Sequence, residues 1–477
     1  DRMKLKKEFL YRTIKEAKDG ELEELRRKAL NSLWRQNYHI QPPYGLLNDP
    51  NGFCQLVDGS WKLFYQWFPY GPVHGMKHWY EVGSDDLVHW KNRGPALIPD
   101  SPYDDYGCYS GSGFIAEGEY RVFYTGNHRD EHWNRKSVQI IAREKNGVLK
   151  KELPAIADVP EESTEDFRDP FVWKEGRGYK AVIGARLRGD KGAVFFYESE
   201  NGLQWQEKNC FTLGKEFGYM WECPNIAEID GKIILIFCPQ GLEDLRYENI
   251  YPAVYLIGTK EEFDKETAAL LDYGFDYYAP QIAKDSKGKY ILIAWMGLPE
   301  IEYPSDKDEW AHCMTVPREL SLKEGRLYQK PVEDLKLLRK NPQLYKTDKD
   351  IEIELSEEKA YEFIIRTSGD FECSLFYNTE KKKGFLIEYH EKKKLLRIDR
   401  SGLENAFGEK YGSTREINLE DSSLLRIFTD KSSIEIFTEE GTVLSSRVFP
   451  IPLEKDCCFK GEGEIEIYSL EKIEGIQ

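Results

Sequence analysis

The chain has 477 residues, 40% of them hydrophobic and 13% aromatic, with 11 Trp, 29 Tyr and 24 Phe. That length supports two or three domains with full cores, and so many rings suit a β-rich fold, mostly as core packing and less often as sugar-binding surfaces. A net charge of −17 leaves no nucleic-acid footprint, and no apolar run reaches the roughly 18 residues of a membrane span.

Residues 1–36, "DRMKLKKEFLYRTIKEAKDGELEELRRKALNSLWRQ", are charged and helix-periodic. They predict an N-terminal helical extension, one amphipathic helix or a pair, and lack the apolar core of a signal peptide. The 9 cysteines are scattered, with no Cys-x-x-Cys. They read as free thiols of a reducing compartment, so a cytoplasmic protein is expected. Neither they nor the 8 histidines show metal spacing, and no metal or organic cofactor is signalled.

A glycine-containing turn followed by a short apolar strand then recurs five times. The copies are "DGSWKLFYQW", "EGEYRVFYTG", "GRGYKAVIGA", "DGKIILIFCP" and "KGKYILIAWM". The first large residue after each turn is Trp61, Tyr120, Tyr179, Ile233 and Tyr290, at intervals of 54 to 59 residues. A period of this length with hairpin signals predicts a five-bladed β-propeller over residues 37–330. "SDDLVHW" and "SENGLQW" echo each other within it. Residues 331–345 read as a linker, helical from Pro331 to Arg339. From 346 to 477 apolar and polar residues alternate in short runs such as "YEFIIRT" and "EIEIYSL", which predicts a β-sandwich. The fold class is therefore all-β: a five-bladed propeller, then a C-terminal sandwich, after a short helical extension.

Five residues sit in nearly the same phase of the repeat. Asp49, Ser110, Asp169, Glu222 and Tyr278 lie 12, 10, 10, 11 and 12 residues before their markers. In a propeller the first strand of each blade lines the central channel, so these groups should converge on one funnel. Singly each has a bland reading. Asp49 in "NDPNG" can be a turn residue, Asp169 an ion-pair partner of Arg168, and Glu222 a turn residue before Cys-Pro. Jointly, three convergent acids in a low-dielectric site are the equipment of glycoside hydrolysis, one as nucleophile and one as acid/base.

"NDPNG", "FRDP" and "WECPN" together resemble the motifs of glycoside hydrolase family 32, and the resemblance runs over nearly the whole chain. Within the family the bacterial branch acting on sucrose 6-phosphate looks most similar, "VHG" at Val73–Gly75 included. The resemblance implies a retaining β-fructofuranosidase acting on sucrose 6-phosphate, sucrose or both. Asp49 is then similar to the nucleophile, Glu222 to the acid/base and Asp169 to the transition-state stabiliser that holds fructose hydroxyls. Leu47, Asn48, Pro50, Gln66, Tyr109, Ser110, Arg168 and Trp295 match positions around the fructose pocket. Trp67 and His74 fall where the leaving group would lie. Tyr80-Glu81 replaces the Gly-His usual in the family.

A phosphate on the leaving glucose needs basic groups at the funnel rim. "YTGNHRDEHWNRK" supplies Arg129, His132 and Arg135 around Trp133, and an arginine fork suits phosphate. The plainer expectation for this loop is two surface pairs, Arg129–Asp130 and Glu131–Arg135. The rival functions are a fructan exo-hydrolase of the same family and a non-catalytic sugar-binding propeller. The expected partner is a small sugar, with no nucleic acid and no membrane. Oligomeric state is left open, a homodimer through the sandwich being one option.

Overall fold

The computed structural model describes residues 2–244, 248–260 and 262–477, with residues 2–5 as backbone only. Five antiparallel sheets follow one another, each with four main strands. Their first strands are Gly45–Gln55, Cys108–Ala116, Ser163–Glu175, Met220–Ile229 and Tyr278–Lys284. Each first strand touches the first strands of the sheets before and after it, and the fifth touches the first, so they form a closed ring. This is a five-bladed propeller. The repeated turn-strand segments are the second strands, Trp61–Phe68, Glu119–Arg129, Gly178–Leu187, Lys232–Gln240 and Tyr290–Met296. Almost every residue in the first and last of these is buried, which is why they read as apolar runs.

A short segment closes the ring. Trp310–Ala311 pairs in parallel with the inner strand of blade 1, and Cys313–Met314 pairs with the second strand of blade 5. Blades 1 and 5 are thereby tied by backbone hydrogen bonds rather than by side-chain packing alone.

The extension forms two helices, α1 (Arg2–Leu10) and α2 (Glu21–Leu30), with a 3₁₀ turn at Ile14–Glu16 between them. It is stitched to blade 1 by backbone and side chain. Met76 N donates to Leu10 O at 2.6 Å, Ile14 N to His78 Nε2 at 2.9 Å and the Tyr70 hydroxyl to Thr13 O at 2.6 Å.

The linker departs from expectation. Helix there is limited to a 3₁₀ segment, Glu333–Leu338, which buries Leu335 and Leu338. Arg339–Thr347 is instead a strand, paired antiparallel with Asp456–Leu470. Its free edge position in the sandwich outweighs the helical look of "EDLKLLRK". In the sandwich two long strands, Tyr361–Asn378 and Asp456–Leu470, pair over most of their length. The first half of Tyr361–Asn378 also pairs with Leu424–Asp430 and the second half with Lys383–His390, so one strand serves both layers. Phe363, Ile365, Leu375, Ile387, Ile427 and Ile465 fill the space between the layers.

Propeller and sandwich meet across a buried ionic seam. The His39 ring nitrogens lie 2.8 Å from Asp430 Oδ2 and 2.6 Å from Glu435 Oε1. Arg318 reaches Asp272 at 3.0 Å and Glu435 at 3.1 Å. Burial alone would depress the His39 pKa, but its hydrogen bonds to Asp430 and Glu435 outweigh that and lift it to about 9. A group raised on folding stabilises fully below its unfolded pKa of about 6.5, and that stability is lost as pH rises through about 9. His39→Gln should cost about 3 kcal/mol, because it leaves buried carboxylates short of a cation. In chemical unfolding, wild-type stability should fall between neutral pH and about pH 10, and the variant should show a lower midpoint and a flatter pH dependence. A variant with the wild-type midpoint and slope would contradict this role.

Candidate active site

Every inner strand carries one residue more than its neighbour over the same stretch. The extra residue falls between Leu47 and Pro50, Cys108 and Gly111, Arg168 and Phe171, Glu222 and Asn225, and Tyr278 and Gln281. These are β-bulges, which bend a strand and re-aim its side chains. The sequence writes them as Asp49-Pro50, Ser110-Gly111, Asp169-Pro170, Cys223-Pro224 and Ala279-Pro280. Proline removes a ladder donor where the ladder is already broken. Gly111 is required, since a Cβ there would lie 2.0 Å from Phe123 O. Asp169, Cys223 and Ala279 take left-handed φ of 70°, 49° and 50°.

Just below these bulges the five strands reach a common frame, before blade 1 shifts again between Asn51 and Cys54. Asn51, Ser112, Phe171, Asn225 and Gln281 face Phe64, Phe123, Val182, Ile236 and Ile293. Counting back from that frame yields two rows. The deeper row is Asp49, Ser110, Asp169, Cys223 and Ala279. The row nearer the mouth is Asn48, Tyr109, Arg168, Glu222 and Tyr278. The single phase expected for the five polar residues therefore divides: Glu222 and Tyr278 stand one residue nearer the mouth than Asp49, Ser110 and Asp169.

Each row is bonded within itself. In the mouth row Glu222 accepts from the Arg168 guanidinium at 3.0 Å and from the Tyr278 hydroxyl at 2.5 Å. In the deeper row Ser110 Oγ donates to Asp49 Oδ2 at 2.5 Å, and Cys223 N donates to Asp169 Oδ2 at 2.9 Å. The Cys223 thiol lies 3.5 Å from Asp49 and 3.6 Å from Asp169, so it bridges the two acids. Asp169 N is capped by Thr125 Oγ1 at 3.0 Å. Directly against this row, between Ser110, Asp169 and Cys223 on one side and Pro50, Pro170, Pro224 and Pro280 on the other, the channel shrinks to a void of about 10 Å³, so the acids sit at the bottom of a blind cup. A separate cavity of about 500 Å³, with Phe171, Trp173 and Tyr290 in its wall, lies on the far side of that plug and touches none of the three acids.

Burial raises the Asp49 carboxyl above its ordinary value. The Ser110 hydrogen bond opposes this, Glu222 adds to it and Lys77 offsets it. Burial also pushes Asp169 up to about 7, against the pull of Arg168 and with a push from Glu222 and Asp49.

Among the other expected residues, Asn48 donates to Gln66 Oε1 at 2.5 Å and to Asp49 Oδ1 at 3.4 Å. The Trp295 ring lies 5.8 Å from His74 and 5.9 Å from Tyr278, forming the wall beside Glu222. Leu47 and Trp67 are corrected, and Pro50 has a structural part. Leu47 is fully buried in the core and meets the site only through its carbonyl, which binds His312 Nδ1 at 2.7 Å. Pro50 shapes the bulge and the plug beneath the acids. Trp67 is 1% exposed and donates to Tyr44 O at 2.8 Å, because it follows Gln66 on the strand and so faces the opposite side. Tyr80 and Glu81 also lie away from the cup. Tyr80 stacks on Tyr65, and Glu81 pairs with Lys62 at 3.5 Å.

Lys77 was not legible as a site residue. It is 8% exposed, and its ammonium donates to Asn48 Oδ1 at 2.8 Å and to His74 Nδ1 at 2.9 Å. The bond fixes the His74 tautomer, leaving its proton on Nε2. Burial pulls Lys77 down to about 7, with Asp49 pulling it back up. The available signal was a lone cation, "GMKHW", inside an otherwise aromatic and apolar run.

At the rim, neither expected surface pair forms. Asp130 accepts from the backbone of His132 and Asn134, at 2.9 and 2.8 Å. Arg135 binds Asp166 at 2.8 Å, and Asp166 also binds Arg168 at 3.0 Å. Arg129 donates to Trp133 O at 3.1 Å and has no carboxylate partner among the described residues.

The family model "Glycosyl hydrolases family 32 N-terminal domain" matches residues 39–331, and "Glycosyl hydrolases family 32 C terminal" matches residues 328–473. The chain belongs to glycosyl hydrolase family 32. It is a glycoside hydrolase. A sucrose-6-phosphate hydrolase of Staphylococcus xylosus is 39% identical over 93% of each chain. The structure of a sucrose-6-phosphate hydrolase from Lactobacillus gasseri superposes with a TM-score of 0.92 at 37% identity, covering 97% of this chain and 98% of the other. A Bombyx mori family 32 β-fructofuranosidase variant in complex with sucrose gives a TM-score of 0.82 at 31% identity, covering 95% and 98%.

Lys77→Met removes a charge from beside Asn48 and Asp49 while keeping a similar length. The acid limb of the pH–activity profile should move up by about one pH unit, as the carboxyl loses an opposing cation. An unmoved acid limb would show that Lys77 does not act on Asp49.

Proposed function

We propose that this family 32 enzyme is a retaining β-fructofuranosidase that hydrolyses sucrose 6-phosphate, and sucrose, to fructose and the glucose moiety. The observation that carries the reading is the two-level arrangement of acids in one blind cup. A fructofuranosyl ring fits against the deeper row, with its glycosidic oxygen and leaving glucose at the level of Glu222 and above.

In the first half-reaction Asp49 attacks the anomeric carbon C2 of fructose and Glu222 gives its proton to the glycosidic oxygen. The C2–O bond to glucose breaks and a fructosyl ester forms on Asp49. In the second half-reaction Glu222 takes a proton from water, which attacks C2 and releases fructose with retained configuration. The Ser110 hydroxyl and the Lys77 charge favour the anionic Asp49 that attack requires. Asp169, bonded to the Cys223 amide, faces the same carbon. Positive charge developing on the ring favours ionised Asp169, so its attraction is greatest in the transition state. Arg168 and Tyr278 orient the Glu222 carboxyl. The glucose 6-phosphate group is held by Arg129 and Arg135 at the rim, where two guanidinium groups offset the acidity of the whole chain. Nine free cysteines support a cytoplasmic site of action.

Glu222→Gln should lower turnover by about 10²–10⁴-fold, with Asp49→Asn at least as damaging. Near-wild-type turnover in either would remove these roles. Arg129→Gln should lower the preference for sucrose 6-phosphate over sucrose by about tenfold, the worth of one charged hydrogen bond. Arg135→Gln should do the same but also loosen Asp166. A preference unchanged in both variants would place the phosphate elsewhere.

A further inference from the structure

The N-terminal extension lies outside the family's shared module, whose match begins at residue 39. Yet it is bound to the one loop that the proposed function assigns to the phosphate. Tyr11 follows directly on α1. Its ring meets the Trp133 ring edge-on at 5.3 Å and the Tyr106 ring at 5.4 Å. Tyr106 and Trp133 themselves meet at 5.2 Å, closing a three-ring cluster. The Lys7 ammonium sits 3.4 Å from the centre of the Trp133 ring.

Trp133 is the hinge of this arrangement. It adopts a left-handed φ of 67°, unusual for a bulky residue, and its amide donates to Asp130 O at 3.0 Å. Its carbonyl receives Arg129, and its ring lies 5.3 Å from the same guanidinium. Arg129 and Arg135 face each other across the hairpin, and Arg135 lies over the Tyr109 ring at 5.7 Å. The Nε groups of Arg129 and Arg135 are both buried without a partner among the described residues. The Tyr11 hydroxyl also makes no hydrogen bond among the described residues. Burial and Tyr109 raise its pKa, while Arg129 and Arg135 draw it down, so the two guanidinium groups are within electrostatic reach and the phenol is a neutral donor at neutral pH. The segment is firmly anchored on the blade side. Phe9 packs edge-on against Phe68 at 5.8 Å, and Arg12 lies 3.9 Å over the Tyr70 ring while bonding Glu21 at 2.7 Å.

We infer that the N-terminal segment completes the leaving-group subsite, with Tyr11 donating its hydroxyl to the 6-phosphate that Arg129 and Arg135 bind. The inference rests on the proposed phosphate reading and adds to it a specificity-determining residue from outside the propeller. The extension thus serves to select a phosphorylated glucosyl leaving group, while the chemistry at C2 stays with the inner strands.

Steady-state kinetics on the full chain with sucrose 6-phosphate and sucrose test this. The readout is the ratio of kcat/KM for the two substrates. Tyr11→Phe deletes one oxygen and keeps the ring cluster. It should lower the ratio about tenfold, through KM for the phosphorylated substrate, and should raise the inhibition constant of glucose 6-phosphate by a similar factor. Phe9→Ala, which weakens the anchor of the segment that carries Tyr11, should lower the ratio in the same direction although it leaves the hydroxyl in place. A wild-type enzyme with no preference for sucrose 6-phosphate would overturn the phosphate reading and this inference together. A preference lost in Arg129→Gln but intact in Tyr11→Phe would overturn this inference alone. Equal losses on both substrates in Tyr11→Phe would show a purely structural role, and so overturn it as well.

Discussion

The site depends on one backbone constraint, repeated five times: an extra residue in each inner strand at the same depth of the ring. A regular strand would turn alternate side chains into the blade, so it could not present adjacent residues such as Asn48 and Asp49, or Arg168 and Asp169, to one lumen. The bulge breaks that alternation. It also frees backbone groups, and buried side chains below it take them up. Asn225 donates to Pro280 O at 2.8 Å, Gln281 to Gly111 O at 2.9 Å, and Ser112 accepts from Val172 N at 2.9 Å. These bonds run from blade to blade, so the devices that satisfy the bulges also lock the ring.

The electrostatics follow from the two rows. Three carboxylates in a blind cup repel one another, and burial removes the water that would screen them. The offsetting charges stand at different depths. Lys77 reaches the deeper row through Asn48, and Arg168 reaches the mouth row directly. Asp166 then joins Arg168 to Arg135, so the mouth row is tied by salt bridges to the rim loop. Glu222 and Arg135, proposed as acid/base and as phosphate contact, are thereby parts of one ionic chain.

Much of the fold was written in the sequence, because the propeller repeats its hairpins at a steady period and the sandwich alternates with turns between. The five second strands were found through their glycine turns. The strand at Arg339–Thr347 was missed because its charged residues face solvent on a sheet edge and look helical in isolation. The convergence of the three acids was legible through their phase. That same phase misplaced Glu222 and Tyr278 by one residue, since a bulge is invisible to counting. A sharper signal was present in the repeated X-Pro of Asp49-Pro50, Asp169-Pro170, Cys223-Pro224 and Ala279-Pro280. Lys77 could not be read from sequence, because its role depends on a contact with Asn48, 29 residues away. Trp67 was misread because a match of motif carries no information about which face of a strand a residue takes.

The central claim is that the bulges put Asp49, and not Asp169, at the anomeric carbon with Glu222 above it. The most direct measurement is peptide mapping by mass spectrometry of the Glu222→Gln variant after reaction with β-fructofuranosyl fluoride. That substrate has a leaving group needing no protonation, so the ester can form, while the missing base slows its hydrolysis. The account predicts one fructosyl unit on the peptide bearing Asp49. Label on Asp169, or fructose released with inverted configuration and no label, would contradict it.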